Sequence, residues 1–207
     1  MILRPDRETA FAVGGVVGPT AFVTAWAILG ATKPGYDPTR DAISRLAASG
    51  SSSRPAMTAA LVVLGTGMAL YSATLRTRLG GPAWIAAAAN AVTTWSVAAF
   101  PLGSTYDTGH GIAAGLSYAT LAAIPLLAAP RFAGLGQPEW ARAAAAAGIL
   151  SMLCLGASLA GGRDGLFQRL GLTATQIFVV ASAISLAKGP TSSSTTPQAR
   201  GVAGRRR

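Results

Sequence analysis

The residues of this sequence that could do chemistry lie in three short polar segments between long apolar runs. In FPLGSTYDTGHG, Asp107 and His110 stand three residues apart, a spacing that can bring their side chains together on the first turn of a helix. A carboxylate beside an imidazole raises the His pKa and orients the ring, so the pair is a candidate catalytic acid/base unit. Asp107 could equally serve only as a helix N-cap, and both interpretations stay open.

The segment GYDPTRDAISRLAASG, residues 35–50, predicts a short amphipathic helix on the outer surface of the protein. An Asp-Pro pair at 37–38 is typical of a helix start, and Gly50 is a natural stop. Asp41 and Arg45 are four residues apart and can form an ion pair. The predicted apolar stripe contains Ile43, Leu46 and Ala47, and the polar stripe contains Asp41, Ser44 and Arg45.

The third segment, GGRDGLFQRLG at residues 161–171, brings two guanidinium groups, Arg163 and Arg169, to the same face. Arginine can clamp a phosphate or a carboxylate through two parallel hydrogen bonds. The alternative is that these arginines pair with the acidic side chains Asp37, Asp41 or Asp107 and hold the segments together.

Six apolar runs separate these segments and predict an all-α membrane protein, a bundle of six transmembrane helices. The runs are residues 11–31, 57–75, 83–101, 111–130, 143–160 and 171–187. Each is long enough to cross a hydrocarbon core of about 30 Å at 1.5 Å per residue. We therefore expect a cytoplasmic N-terminus at residues 1–10, a six-helix domain at 11–188 and a disordered basic tail at 189–207.

The distribution of charge predicts how the bundle is oriented. Only 12% of the residues are Asp, Glu, Lys or Arg, and the net charge is +10. Eleven of the 17 basic residues fall on the side of the two termini, which the positive-inside rule places in the cytoplasm of a plasma (inner) membrane. The basic residues are spread over loops and the tail rather than gathered on one face, which excludes a nucleic-acid-binding function. The lipid bilayer is then the expected partner.

Within the spans, two side chains stand out as polar. Asn90 and Gln176 must each find a partner inside the bundle, and contact between helices is the favoured explanation for both. Gly14 with Gly18, and Gly111 with Gly115, form small-xxx-small patterns that allow helices to approach closely. A single His and a single Cys supply no plausible metal set, and no cofactor motif is present, so we expect neither a metal nor a cofactor.

The three polar segments, taken in order among six spans, resemble a bacterial integral membrane family known as domain of unknown function 998. The resemblance is carried by YDPTRDAISRLAASG, by FP followed by DTGHG, and by GLFQRLGL. It implies a small multi-pass inner-membrane protein and supplies no settled reaction. The motif positions that it points to are Asp41, Ser44, Asp107, His110, Gln168 and Arg169.

These observations leave three functions open. The favoured one is a non-catalytic membrane protein with an extracytoplasmic Asp/His/Arg cluster that locks the loops or binds a lipid head group or a partner protein. Asp41, Ser44, Arg163, Gln168 and Arg169 would then be the binding residues. The second is a membrane-embedded enzyme acting on a lipid or isoprenoid through His110 and Asp107. The third is a carrier of small solutes.

Overall fold

A computed structural model describes residues 7–188 of the chain, and these residues form helices joined by turns and by one longer connection, residues 33–53, with no strand among them. The all-α class predicted from the sequence is confirmed. The helices are α1 (Arg7–Thr32), α2 (Arg54–Thr74), α3 (Ala83–Ala99), α4 (Asp107–Gly134), α5 (Pro138–Leu159) and α6 (Asp164–Ala187). A π-helical turn, Leu75–Leu79, continues α2, and a 3-10 helix, Ile43–Ala47, lies in the α1–α2 connection. The predicted disordered tail and the first six residues of the predicted N-terminal segment lie outside the described part.

The six helices form a ring around an apolar core. Each helix packs against the next one in the chain, and α6 closes the ring by packing against α1. Five of them are long and apolar enough to cross a membrane: α1, α2 with its π turn, α4, α5 and α6. The chain is therefore a multi-pass membrane protein. Helix α3 has 17 residues and is shorter than these five.

Close contact between α1 and α2 depends on glycine, as one of the two glycine patterns predicts. A Cβ atom built on Gly67 would lie 2.8 Å from the Cα of Gly18 and would clash with the carbonyl oxygen of Gly14. Gly111 and Gly115 behave differently, because a Cβ atom on either one would meet no described atom within 4 Å. The second glycine pattern is therefore not a packing site within this chain.

The amphipathic helix predicted for residues 35–50 does not form. Asp37 instead starts a turn, in which its carboxylate accepts hydrogen bonds from the backbone and side chain of Thr39 at 2.8 and 2.7 Å. Ala42 is extended, with φ −60° and ψ 148°, and only the five residues of the 3-10 helix follow. The predicted apolar stripe of Ile43, Leu46 and Ala47 is nevertheless buried in the core.

Helix α6 begins at Asp164, well before the apolar run that starts at residue 171. Its first turns are polar, so hydropathy alone does not include them in the span. These turns lie against the α1–α2 connection, where the backbone N–H of Leu166 donates to the carbonyl of Thr39 at 2.9 Å. The early start of α6 places Gln168 and Arg169 on a regular helix rather than in a loop.

Candidate functional site

Three connections meet at one end of the bundle, and we call residues 33–53, 100–106 and 160–169 the cap. The backbone N–H of Ser49 in the α1–α2 connection donates to the carbonyl of Leu102 in the α3–α4 connection at 2.7 Å. The side-chain oxygen of Gln168 on α6 accepts the backbone N–H of Ile43, also at 2.7 Å. The cap is therefore joined mainly through backbone groups, each of which is far in sequence from its partner.

Arg169 is the centre of the cap and is only 8% exposed. Its Nη1 atom donates to three backbone carbonyls, those of Pro38 at 2.6 Å, Gly165 at 2.9 Å and Asp41 at 3.0 Å. Its Nη2 atom donates to the hydroxyl of Tyr36. Among residues 7–188, no ion pair joins Arg169 to an acidic side chain, unlike the alternative predicted for the arginines, and these carbonyl oxygens supply the partial negative charge instead.

Two aromatic rings also contact the Arg169 guanidinium. Its central carbon lies 5.3 Å from the ring centre of Trp26 on α1 and 5.5 Å from that of Tyr36. Both distances are in the range of cation–π attraction, which strengthens when the cation is removed from water. The buried charge is thus stabilised by carbonyl dipoles and π faces together.

Tyr36 extends this network into the α1–α2 connection. Its hydroxyl accepts from Arg169 and lies 3.1 Å from the carbonyl of Ala42 and 3.3 Å from that of Asp41, to which it donates. Burial raises the pKa of the Tyr36 hydroxyl, and the neighbouring guanidinium partly opposes that rise. The hydroxyl therefore stays protonated at neutral pH and keeps the proton that it donates.

Gly165 allows the loop to come this close to α6. A Cβ atom at this position would lie 2.6 Å from the carbonyl oxygen of Pro38, and it would clash with that of Asp41. Tyr36 and Gly165 were not singled out from the sequence. A glycine one helical turn before Arg169 is the signal that could have indicated Gly165, since the two share one face of α6.

Two acidic side chains of the cap, Asp37 and Asp41, have local partners. The Asp41 carboxylate accepts the backbone N–H of Asp37 at 2.9 Å and lies 3.4 Å from Arg45, so the predicted Asp41–Arg45 pair is confirmed. Hydrogen bonds from Thr39 lower the pKa of the exposed Asp37 carboxylate. These carboxylates stabilise turns, and the Arg169 guanidinium binds backbone carbonyls instead of them.

Asp107 and His110 have separate partners. The Asp107 carboxylate accepts the backbone N–H groups of Gly103 at 2.6 Å and Ser104 at 3.0 Å, and so closes the α3–α4 turn. The Nδ1 atom of His110 lies 2.7 Å from the carbonyl of Phe100, and the residue is 4% exposed. Within residues 7–188, no hydrogen bond or ion pair joins the two side chains. A carbonyl only accepts, so Nδ1 carries a proton, and the buried Nε2 atom has no hydrogen-bond partner among residues 7–188.

The remaining predicted site residues lie in different surroundings. Arg163 is exposed immediately before the first turn of α6, whereas Arg169 is buried. Ser44 is half-buried and lines a cavity beneath the 3-10 helix. The structure therefore brings together the backbone of Asp41, Gln168 and Arg169, and it gives Asp107 and His110 other contacts.

That cavity has a volume of about 70 Å³, lies inside the ring, and is lined by Asn90, Ser117 and Gln176 among others. Asn90 is 1% exposed, and its amide nitrogen donates to the carbonyl of Ser117 on α4 at 2.7 Å. The predicted helix-to-helix contact of Asn90 is confirmed. Gln176 is 2% exposed, and neither atom of its amide group has a hydrogen-bond partner among the described residues. The corresponding prediction for Gln176 is wrong within this part of the chain.

Comparison with known proteins identifies the family of the chain. No curated protein and no solved structure shows significant similarity to the chain. The chain matches the family described as "Protein of unknown function (DUF998)" over residues 16–185, which include all three polar segments and nearly all of the six-helix ring. This match covers most of the sequence, and the chain therefore belongs to the DUF998 family.

Proposed function

We propose that this protein is a six-span protein of the plasma (inner) membrane, with both termini in the cytoplasm and the cap on the extracytoplasmic side. Helix α3 supplies the sixth span, since it has no charged residue and its 17 residues extend about 26 Å. Six successive spans alternate in direction, which places the three cap connections on one side. The excess of Lys and Arg on the opposite side supports this orientation.

The role of the cap, in this proposal, is to lock the loops onto the bundle rather than to catalyse a reaction. The observation that carries it is the burial of Arg169, whose Nη1 atom donates to three backbone carbonyls and whose Nη2 atom donates to Tyr36. A guanidinium used in this way is not available to clamp a substrate phosphate. The exposed side chains of Arg40, Arg45 and Arg163 give the outer surface of the cap the charge to meet an anionic lipid head group.

The test compares Arg169→Ala with Arg142→Ala. Arg142 is exposed and forms a surface pair with Glu139, which contributes little to stability. Removing Arg169 takes the donor from the Pro38 carbonyl and from the Tyr36 hydroxyl and leaves the Asp41 carbonyl with Tyr36 alone, at about 1–3 kcal/mol for a buried group left unsatisfied. We expect Arg169→Ala to lower the folded yield and the unfolding temperature in detergent strongly, and Arg142→Ala to leave both unchanged. Equal effects of the two variants would contradict the lock.

Protease added to intact spheroplasts tests both the orientation and the lock. In the wild type the cap is expected to resist cleavage, and Arg169→Ala should be cut within residues 33–53. A pattern in which Arg169→Ala is cut in this segment only after the cells are opened would place the cap in the cytoplasm and contradict the proposed topology.

A second candidate function is a membrane-embedded enzyme acting on a lipid or isoprenoid. It is favoured by the buried Nε2 atom of His110, which has no partner among residues 7–188 and could act as a general base. Asp107 would not orient the ring in this case, because the Phe100 carbonyl does so. A His110→Gln variant that folds normally and leaves the cellular lipid composition unchanged would exclude this function.

A further inference from the structure

The polar cavity inside the ring contains more hydrogen-bonding capacity than the protein uses. The side-chain oxygen of Asn90 and both amide atoms of Gln176 are buried and have no partner among the described residues. Both side chains lie near the middle of their helices, and burying such groups unpaired in an apolar interior is costly. Asn90 contributes to α3–α4 packing through its nitrogen, but Gln176 makes no such contribution.

The cavity favours an uncharged ligand. Its described lining contains hydroxyl, amide and apolar side chains and no Asp, Glu, Lys, Arg or His. A charged group brought to this depth would lack a counter-charge, and it would pay most of its desolvation cost. An amide side chain both donates and accepts, so a hydroxyl group, which does the same, matches it best.

Gln176 also lines a groove between two helices, and this groove indicates the route by which such a ligand would reach the cavity. A groove of about 390 Å³ runs along the seam between residues 19–24 of α1 and residues 173–184 of α6. Its lining is mainly Val, Ile, Ala and Thr, and it includes Gln176. Because both spaces are lined by Gln176, a hydrocarbon chain in the groove could place its polar end at the cavity.

We propose that the α1–α6 groove and the cavity bind a long-chain lipid alcohol, with the chain in the groove and the hydroxyl bonded to Gln176. The hydroxyl completes the buried amide group, and the hydrocarbon chain occupies a surface that the bilayer already supplies. This inference goes beyond the proposed locking role of the cap, because it rests on the amide groups of Gln176 and Asn90 and not on Arg169. A result that contradicts the binding of a lipid alcohol therefore does not contradict the locking role of the cap, and the reverse is also true.

The α1–α2 seam provides an internal control. A second groove, of about 290 Å³, lies between residues 10–18 of α1 and 62–70 of α2 and is also apolar. Its lining contains no amide side chain. A molecule that enters grooves only for their apolar surface would occupy both seams.

The experiment uses the full chain in nanodiscs of dioleoyl phosphatidylcholine and a hexadecanol that carries a diazirine in its chain. After irradiation, labelled peptides are mapped by mass spectrometry. We expect labelling of residues 173–184 to exceed that of residues 62–70, and we expect unlabelled hexadecanol to suppress it. Hexadecane, which has the chain without the hydroxyl, should not compete.

Two variants test the role of Gln176. Gln176→Met keeps the size of the side chain and removes its hydrogen bonds, so we expect labelling at residues 173–184 to fall about tenfold, the effect of one lost hydrogen bond. Its unfolding temperature without hexadecanol should rise, because an unpaired polar group is removed, whereas loss of a structural contact would lower it. Gln137→Met makes the same change at an exposed position and should alter neither quantity.

Equal labelling of the two seams, or unchanged labelling in Gln176→Met, would overturn the proposal and assign the groove to bulk lipid. A fall in the unfolding temperature of Gln176→Met would also contradict it, because Gln176 would then be a structural contact.

Discussion

Arg169 binds the backbone carbonyl of Asp41 at 3.0 Å, while the carboxylate of the same residue is bonded elsewhere. The cation and the acid are close, yet the contact between them does not depend on the charge of the acid. A main-chain carbonyl is present whatever side chain it carries, so this contact stabilises the path of the loop rather than a particular residue type.

The first prediction follows from that contact. Asp41→Asn keeps the carbonyl and an acceptor for the Asp37 N–H, and it loses only the partly exposed pair with Arg45. We expect a loss of less than about 1 kcal/mol of stability, the usual contribution of such a pair. Thermal unfolding of Asp41→Asn in detergent, compared with that of Arg169→Ala, measures this loss of stability. An effect as large as that of Arg169→Ala would show that the ion pair holds the cap.

A second prediction concerns Gly165. Alanine is normally preferred to glycine in a helix by about 1 kcal/mol, but here its Cβ atom would press on the carbonyls of Pro38 and Asp41. We expect Gly165→Ala to destabilise the protein by about 1–3 kcal/mol, the usual cost of overpacking. Gly111→Ala is the matched control, since a Cβ atom there meets no described atom within 4 Å, and it should be neutral or stabilising. The unfolding temperature of Gly165→Ala should fall and that of Gly111→Ala should stay the same or rise, and a comparable fall in both variants would contradict the prediction.

The third prediction is a dependence on high pH. Burial raises the pKa of Tyr36 above its ordinary value of 10, so its contribution to stability is complete below about pH 10 and is lost as the pH rises through the folded-state pKa. Tyr36→Phe should be less stable at neutral pH, because the hydrogen bonds of the hydroxyl are lost. It should also lose less stability than the wild type as the pH rises above about 10.

Proteolysis of the α1–α2 connection at a series of pH values measures this difference. The other tyrosines are present in both proteins, so the difference between the two curves reports Tyr36 alone. Parallel curves would show that the hydroxyl does not titrate as part of the cap.

The fourth prediction separates the two interpretations of Asp107. Asp107→Asn keeps an oxygen that accepts the N–H groups of Gly103 and Ser104, whereas Asp107→Ala removes it. If Asp107 only closes the turn, Asn should be tolerated and Ala should cost about 1 kcal/mol, the usual effect of a lost capping group. Unfolding temperatures and folded yields measure this. If both variants fold normally but change cellular lipids equally, Asp107 has a chemical role that requires its charge.

The α1–α2 connection shows how tertiary contacts override a local preference. An α-helix from Asp37 would use the carbonyls of Pro38 and Asp41 to accept backbone N–H groups four residues later. Arg169 takes both carbonyls, and Gln168 takes the N–H of Ile43. Hydrogen bonds to a charged group are about twice as strong as neutral ones. The turn and the 3-10 helix therefore form in place of the α-helix expected from Asp37.

Gln176 and Asn90 show a different limit. Both are amides in the middle of apolar runs, and the sequence predicts the same role for each. Asn90 lies opposite Ser117 across the α3–α4 seam, and Gln176 faces a cavity that no sequence pattern describes. Which polar atoms lie opposite each amide depends on the rotation of each helix in the ring.

The sequence by itself determined the helical class, the positions of the six apolar runs and the concentration of charge at their ends. Hydrocarbon burial and the need to satisfy every backbone group leave a chain of this composition few alternatives. Only the tertiary structure decided that Arg169 is bonded to carbonyls, that Asp107 and His110 are separate, and that Gln176 is unpaired. For Arg169 and Gln176 the physical reason is distance along the chain, since the groups around them come from elements far apart in sequence. Asp107 and His110 are separated by the path of the α3–α4 turn, whose backbone groups bind each of them.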